Sequence, residues 1–275
     1  MERRSSKPTH NPLSSVEPWN IVADGYTAEL MAWAEFYASK ALELASLPSS
    51  PHIVDIAAGP GSLALLAARG GATVSAIDFS VAMIANLWQR MAKTRPGLVD
   101  VHVADGQALP FQDSVFDGAF SMAGLIFFPN RATGFQEMLR VLRSGRRAVV
   151  SSIASIKGSF AQVLEAMSIM VPGMPNASNN KPPLSDSQSF FDEMTVAGFR
   201  EVTIHTIKHI ETTPTLDEFW RATERSAAPV AFLRRKLGEE RWEDVANGVK
   251  KHLRETVGAG PYEEVFTMHL GVGVK

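Results

Sequence analysis

Cysteine is absent from this sequence of 275 residues, and neither sign of charge is in excess. The absence of cysteine excludes disulfide bonds, a thiolate nucleophile and cysteine-based metal sites. Lysine and arginine number 27 against 29 aspartates and glutamates, so the net charge of -2 gives no general attraction to nucleic acid. We therefore expect no nucleic-acid partner.

Long apolar runs are also missing. No stretch reaches the roughly 18 apolar residues that a membrane-spanning helix needs, so we expect no membrane span. Residues 1–8 lack the apolar core of a signal peptide, although their basic and serine-containing character leaves a transit peptide as an alternative. We expect a disordered tail over residues 1–17 and a cytoplasmic protein. The apolar content of 45% is enough for the core of one large α/β domain.

Residues 53–68 combine a buried strand, a glycine turn and a helix. The run from Ile53 to Ala57 is nearly all apolar, which is typical of a strand buried on both faces of a parallel sheet. Gly59-Pro60-Gly61 interrupts this run, and helical spacing resumes from Ser62 to Ala68. Glycines let the backbone approach a ligand closely. The pattern therefore predicts the first βα crossover of a nucleotide-binding α/β domain.

Two classes of ligand fit this glycine turn. It satisfies the dinucleotide pattern G-x-G-x-x-G/A, with Asp78 near the distance expected for a ribose-binding acid. However, a carboxylate at Asp55 would repel a pyrophosphate and attract an ammonium group. Pro60 also removes an N–H donor that a pyrophosphate would use. S-adenosylmethionine, which carries an α-amino group and no phosphate, is therefore favoured over NAD.

Four further segments repeat the pattern of a strand followed by a loop or helix. Residues 71–80 form a strand ending on Asp78, followed by Ser80 as a helix N-cap. Residues 101–111 form a strand ending on Asp105, residues 114–120 a fourth strand and residues 147–153 a fifth. This ordered set resembles the class I S-adenosylmethionine-dependent methyltransferases, most closely the ubiquinone/menaquinone-biosynthesis-like small-molecule group. The resemblance covers roughly residues 53–153. It departs from the family at residues 143–146, where Arg-Ser-Gly-Arg replaces the usual Lys-Pro-Gly-Gly, in a turn away from the ligand.

The resemblance implies S-adenosyl-L-methionine as cofactor and assigns roles to individual side chains. Asp78 would accept both ribose hydroxyls, and Asp105 would receive the exocyclic amine of the adenine. Phe79 and Met83 would contact the adenine ring, and Tyr26 would hydrogen-bond the methionine carboxylate. The predicted cofactor-binding set is Tyr26, Asp55, Ala57, Gly59, Gly61, Asp78, Phe79, Met83, Asp105, Gly106, Gln107 and Met122.

The predicted fold is a Rossmann-like mixed sheet of seven strands, the last antiparallel, with helices on both faces. After the tail, we expect one cover helix within residues 18–50 and a cofactor-binding core over residues 51–155. Residues 156–275 supply the remaining strands, with lid or substrate-binding insertions at 156–197 and 213–260. We predict two amphipathic helices in the second insertion, and a final strand over residues 262–274.

The loop after the fourth strand, residues 121–129, indicates the kind of acceptor. It has no Asn/Asp-Pro-Pro-Tyr/Phe motif, which disfavours N-methylation of adenine, cytosine or glutamine amides, and no acid at Ser121 to begin a Mg²⁺ site. Its apolar residues favour an apolar acceptor. The predicted substrate-contacting residues are Trp19, Phe128 and Trp220.

His209 is the predicted general base, should the acceptor be a hydroxyl group. It shares one strand face with His205 and Glu211 by alternation, a pattern that metal ligands also use. We predict no metal, because such a face can equally be exposed to water.

The sequence thus predicts transfer of a methyl group to a small, partly apolar or aromatic acceptor in secondary metabolism. The atom that is methylated is left open, and so is homo-oligomer formation. The alternatives are a macromolecule methyltransferase, an NAD-dependent oxidoreductase and a non-catalytic binding protein on the same fold.

Overall fold

A computed structural model describes residues 11–92, 98–172, 174 and 181–275. Within these residues seven strands form one sheet in the order β3-β2-β1-β4-β5-β7-β6. The strands are β1 (His52–Ile56), β2 (Thr73–Asp78), β3 (Val99–Val103), β4 (Phe116–Met122), β5 (Leu142–Gly158), β6 (Arg200–Thr213) and β7 (Tyr262–Val274).

Ten α-helices surround the sheet in the described part of the chain. They are α1 (Val16–Glu29), α2 (Met31–Leu44), α3 (Ser62–Arg69), α4 (Val81–Met91), α5 (Arg131–Val141), α6 (Ser159–Met170), α7 (Ser187–Ala197), α8 (Leu216–Ser226), α9 (Ala228–Leu237) and α10 (Glu239–Thr256). None of them is long and apolar enough to cross a membrane.

Strands β3, β2, β1, β4 and β5 pair in parallel, while β7 runs antiparallel to both β5 and β6. Parallel strands place their carboxyl ends at one edge of the sheet, where open α/β sheets bind ligands. The predicted fold class, including the antiparallel last strand, is confirmed.

The sheet is covered on both faces, as a parallel sheet requires. Helices α2, α3 and α4 pack on one face, and α5 and α7 pack on the other. A third apolar cluster joins α6, α8 and α10 to Tyr262 at the start of β7. A fourth, small cluster joins α1 to α9 and to Met83 of α4. Helix α1 therefore lies between the core and the helices of the second insertion.

Strands β5, β7 and β6 continue beyond the rest of the sheet. The last residue of β4, Met122, pairs with Ser151, and β5 then runs on to Gly158. Residues 152–158 pair with residues 264–269 of β7, which in turn pair with residues 206–211 of β6. We call this three-stranded extension the overhang. It projects past the carboxyl edge at which β1 and β4 end.

Two predictions for the first 50 residues are wrong in detail. The single cover helix is two helices, α1 and α2, separated at Leu30. Helix α1 packs on α4, α8 and α9, whereas α2 packs on α3 and the sheet. One straight helix could not contact both sets of partners. The predicted tail is also partly ordered. Residues 12–14 form a 3-10 turn and α1 begins at Val16, because Trp19 Nε1 donates to the carbonyl of Leu13 at 2.9 Å. Residues 1–10 lie outside the described part.

The second half also departs from the sequence interpretation. Strand β5 is 17 residues long instead of seven. Its carboxyl end runs on to Gly158 because β7 pairs with it there, and at its start Leu142 pairs with Phe116 of β4. The second insertion contains three helices instead of two. Gly238, with a φ of +75°, separates α9 from α10. The spacing of apolar residues in this highly charged region did not indicate that break. Strand β7 has the predicted bounds.

Candidate functional site

The turn after β1 has a backbone that few side chains tolerate. Ala57, Gly59 and Gly61 have φ values of +57°, +55° and +83°, all in the left-handed region. At Gly61 a Cβ atom would also lie 2.3 Å from Cδ1 of Leu87. The close approach of α4 therefore requires glycine there, and the turn presents main-chain atoms at the carboxyl edge of the sheet.

Asp55 lies beneath this turn and is 1% exposed. Its Oδ2 accepts the N–H of Ala64, in the first turn of α3, at 3.1 Å. The N-cap of α3 is Gly61, which has no side chain to make this bond, so Asp55 takes the place of a capping residue. Burial raises the pKa of Asp55 to about 7 despite that hydrogen bond.

Asp78 closes the same turn from the end of β2. Its Oδ2 accepts the N–H of Gly59 at 2.8 Å, and its Oδ1 accepts the N–H of Ser80 at 2.8 Å. Burial raises its pKa to about 6. Tyr26 of α1 lies close enough that burial and the Asp78 charge raise its pKa to about 12. The structure thus brings together the predicted residues Tyr26, Asp55, Asp78 and the glycines.

These two carboxylates have no counter-charge. Among the described residues, no lysine, arginine or histidine forms an ion pair with Asp55 or Asp78. Each carboxylate oxygen has lone pairs beyond its main-chain hydrogen bond, so further hydroxyl or ammonium donors fit. A pyrophosphate would add like charge in a buried setting. The two carboxylates therefore fit the ribose hydroxyls and cationic groups of S-adenosylmethionine, whereas Asp55 disfavours the pyrophosphate of NAD.

Helix α1 is held over this edge by polar contacts. Ser80 Oγ donates to Asn20 Oδ1 at 2.7 Å, and Asn86 Nδ2 donates to Asp24 Oδ1 at 3.0 Å. Ser80 is also the N-cap of α4, as its position in the sequence predicts. Asn20 was missed by the sequence analysis, because nothing near position 20 indicates a partner 60 residues away.

Arg90 of α4 was missed as well. Its guanidinium donates to the carbonyl of Pro60 at 2.6 Å and to Glu35 of α2 at 2.9 Å. It thereby joins the glycine turn to the second cover helix. A lone arginine near the end of an amphipathic helix ordinarily faces solvent, so the sequence held no signal for this contact.

The loop after β3 forms a compact turn. Asp105 is exposed, and its Oδ1 accepts the main-chain N–H of Gln107 at 2.8 Å. Gly106 is buried, and a Cβ there would lie 2.5 Å from Cζ of Phe128 and 2.7 Å from Cγ2 of Ile56. The structure thus brings the predicted substrate residue Phe128 against the predicted cofactor loop.

The aromatic residues predicted near the substrate lie in different places. Trp19 packs on Phe127, next to Phe128, with ring centroids 4.9 Å apart. Trp220 is instead 3% exposed and stacked on Trp242 inside the cluster of α6, α8 and α10. Phe79, predicted to contact the adenine, is 37% exposed, and Met83 is buried against α1.

His209 lies on the overhang and not at the glycine turn. Its ring stacks on Phe36 of α2 with centroids 4.3 Å apart, and its Nε2 lies 3.7 Å from Oε1 of Glu211. In the described residues, no three His, Asp or Glu side chains form a group that could hold a metal ion.

Comparison with known proteins agrees with this geometry. Residues 54–150 match the model of the methyltransferase domain family named Methyltransf_11. An uncharacterised protein of Mycobacterium bovis is 34% identical over 133 residues, covering 48% of this chain and 46% of its own length. The ubiquinone/menaquinone biosynthesis C-methyltransferase UbiE of Geobacter sulfurreducens is 34% identical over 103 residues, covering 36% of this chain and 40% of its own length. The chain thus spans about half the length of the curated relatives it matches.

Solved structures show the same fold across most of the chain. The YcgJ protein of Bacillus subtilis has a TM-score of 0.58 at 17% identity, covering 87% of this chain and 98% of its own. The [4+2]-cyclase SpnF has a TM-score of 0.56 at 16% identity, covering 96% of this chain and 98% of its own.

Together, the sheet order, the glycine turn and the match over residues 54–150 define the fold class of this protein. It has the class I S-adenosylmethionine-dependent methyltransferase fold. Its core resembles UbiE-like methyltransferases, which confirms the resemblance expected from the motifs.

Proposed function

We propose that this protein transfers a methyl group from S-adenosylmethionine to a small, partly apolar or aromatic acceptor. The supporting observation is the pair of buried carboxylates, Asp55 and Asp78, which meet at a left-handed glycine turn where no described residue supplies a counter-charge. When bound, S-adenosylmethionine supplies a methyl group already activated by the sulfonium, so the protein needs chiefly to bind and orient.

Each cofactor-side residue has a defined task in this proposal. Asp78 holds the ribose hydroxyls while its own orientation is fixed by the N–H groups of Gly59 and Ser80. Asp55 holds the first turn of α3 and provides negative potential beneath the methionine end. Tyr26, on α1, covers the site from above and excludes water.

The acceptor side is built from apolar groups. Met122 ends β4, and Phe128 packs on the loop after β3, beside the pair of Trp19 and Phe127. An apolar or aromatic small molecule suits such surroundings better than a nucleic acid. A role in secondary metabolism in the cytoplasm belongs to this proposal.

His209 is proposed as the base that takes the acceptor's proton, with Glu211 beside it to stabilise the imidazolium. With an acceptor in hand, His209→Ala should lower kcat and flatten the rise of the rate with pH, while the affinity for S-adenosylmethionine stays the same. An unchanged pH–rate profile would remove His209 from the mechanism.

The fold alone does not fix the reaction, because the [4+2]-cyclase SpnF shares it. Methyl transfer therefore has to be shown on a product, with the labelled methyl group of S-adenosylmethionine recovered on the acceptor. An NAD-dependent oxidoreductase is less well supported, since Asp55 would repel a pyrophosphate and Pro60 lacks the N–H that a pyrophosphate would use.

Calorimetric titration tests the cofactor first. The protein should bind S-adenosylmethionine with micromolar affinity and give no heat with NAD. Asp78→Ala should weaken binding by about 100-fold, since two charge-assisted hydrogen bonds to ribose are lost. Asp100→Ala is the matched control, because this acid lies on the neighbouring strand β3 and is exposed. Heat with NAD alone would overturn the proposal.

A further inference from the structure

The overhang carries a second group of acidic side chains, well separated along the strands from the glycine turn. Glu211 of β6 and Glu264 of β7 occupy paired positions on adjacent antiparallel strands. Their side chains therefore lie side by side on one face of the sheet. Two like charges in this arrangement repel each other, and in a stable protein such a pair usually has a compensating cation.

One oxygen of Glu264 has no hydrogen-bond partner among the described residues. The residue is 7% exposed, and its Oε1 accepts the N–H of Phe160 at the start of α6 at 2.8 Å. Its Oε2 is buried, and no described group donates a hydrogen bond to it. An unsatisfied buried carboxylate oxygen costs free energy, which a bound donor would recover.

The positive charge near this pair is small. Nε2 of His209 lies 3.7 Å from Oε1 of Glu211, and no described lysine or arginine forms an ion pair with either glutamate. Lys157 and Lys208 belong to the same overhang, but alternation along the strands directs them to the opposite face. The face that carries the glutamates is therefore net negative.

The surroundings of the pair are aromatic. Trp33 and Phe266 pack with ring centroids 5.5 Å apart, and Phe36 and Tyr37 of α2 lie against His209. The hydroxyl of Tyr37 donates to the carbonyl of Phe266 at 3.2 Å. Aromatic rings next to carboxylates are the environment that organic ammonium groups prefer, because ring faces and carboxylates both attract a cation.

We infer that Glu211 and Glu264 receive an ammonium group of an amine ligand that has an apolar or aromatic body. The overhang projects from the same edge of the sheet at which the glycine turn lies, which is the side from which an acceptor approaches. Identifying this ligand as the methyl acceptor rests on the proposed function; the amine site itself does not.

The test uses two aromatic probes that differ in charge but hardly in shape, benzylamine and benzyl alcohol. Ligand-detected NMR titrations at pH 7.5 should show benzylamine binding in the millimolar range and benzyl alcohol at least about tenfold weaker, because only the amine is a cation. Glu264→Gln and Glu211→Gln should each weaken benzylamine binding by about tenfold and leave benzyl alcohol unchanged.

Glu263→Gln is the matched control, since Glu263 is exposed and alternates to the other face of β7. Glutamine at 264 keeps an oxygen for the N–H of Phe160, and Glu211→Gln on the edge strand provides a second variant if the first does not fold. Equal binding of the two probes, no binding of benzylamine, or full binding by both variants would overturn the inference.

Titration of S-adenosylmethionine into the same samples separates the two proposals. If S-adenosylmethionine fails to bind while benzylamine binds as expected, the proposed function is wrong and the amine site stands. If the cofactor binds and benzylamine does not, the methyltransferase proposal stands and the acceptor is not an amine of this kind.

Discussion

The carboxyl edge of the sheet at the glycine turn, which we call the cofactor edge, and the overhang cap a helix in the same way but in different surroundings. In each, a glycine without a side chain is the N-cap of a helix, Gly61 before α3 and Gly158 before α6. In each, a carboxylate from a strand accepts an N–H of the first helical turn instead. Asp55 is nine residues from its partner Ala64, whereas Glu264 is 104 residues from Phe160.

The difference between the two regions lies in how the carboxylate meets its helix. At the cofactor edge, one short segment of chain supplies the strand that carries Asp55, the glycine turn and the helix α3. At the overhang, the carboxylate lies on the last strand, β7, and meets its helix because β7 pairs with β5. Three kinds of experiment test this comparison: alanine at the capping glycines, neutral replacement of the two carboxyls, and a change of pH.

The largest effect is expected from alanine at the two capping glycines. A Cβ at Gly158 would lie 2.0 Å from the carbonyl oxygen of Glu263, and one at Gly61 would lie 2.3 Å from the side chain of Leu87. A backbone atom can move aside less easily than the end of a side chain. Urea unfolding should therefore show a free energy of unfolding lower by about 3 kcal/mol or more for Gly158→Ala and by about 1–3 kcal/mol for Gly61→Ala.

Gly145→Ala is the control for these two variants. Gly145 also has a positive φ, of +75°, but open space surrounds its Cβ position. It should therefore show only the backbone cost of about 1 kcal/mol. A loss as large as that of Gly158→Ala would contradict the steric explanation.

A smaller, selective effect is expected when the two carboxyls are neutralised without loss of shape. Asp55→Asn and Glu264→Gln each keep an oxygen that can accept the helix N–H, so each should change the unfolding free energy by less than about 1 kcal/mol. Only Asp55→Asn should weaken S-adenosylmethionine binding, by about tenfold, because its charge lies beneath the cofactor site. Equal effects of both variants on cofactor affinity would mean that the two regions do not act separately.

The last expected effect is a dependence of stability on pH. The folded-state pKa values of Asp55, Asp78 and Glu264 are raised to about 7, 6 and 7 by burial. Between the ordinary carboxyl pKa and these values, the folded protein holds protons that the unfolded chain has lost. Its unfolding free energy should therefore fall as pH rises from about 4 to about 7.

Cofactor affinity should change in the opposite direction, because a cationic ligand favours the ionised carboxylates. Calorimetry in buffers with different ionisation enthalpies should show proton release on binding at pH 6 and less at pH 8. Proton uptake at pH 6 would show that the carboxylates are not the groups that titrate.

Much of the cofactor edge could be predicted from the sequence because its signals are local. The alternation from apolar strand to glycine turn to helix located β1 and α3, and Ser80 was identified as a helix cap from its place after β2. The carboxyl end of strand β5 was predicted too early, since it is extended by pairing with β7, which begins more than 100 residues later. The break at Leu30 and the third helix of the insertion likewise depend on which surface each helix covers.

The sequence by itself determined the class of fold and the acids and glycines of the cofactor edge. From β1 to α3, one short stretch of chain contains both the residues that form the turn and the carboxylate of Asp55. The tertiary structure alone decided that Arg90 holds the glycine turn, that Asn20 fixes α1 to Ser80, and that Glu211 and Glu264 meet on the overhang. Contacts between distant residues follow from how the finished sheet and its helices pack, and no local pattern of residues records them.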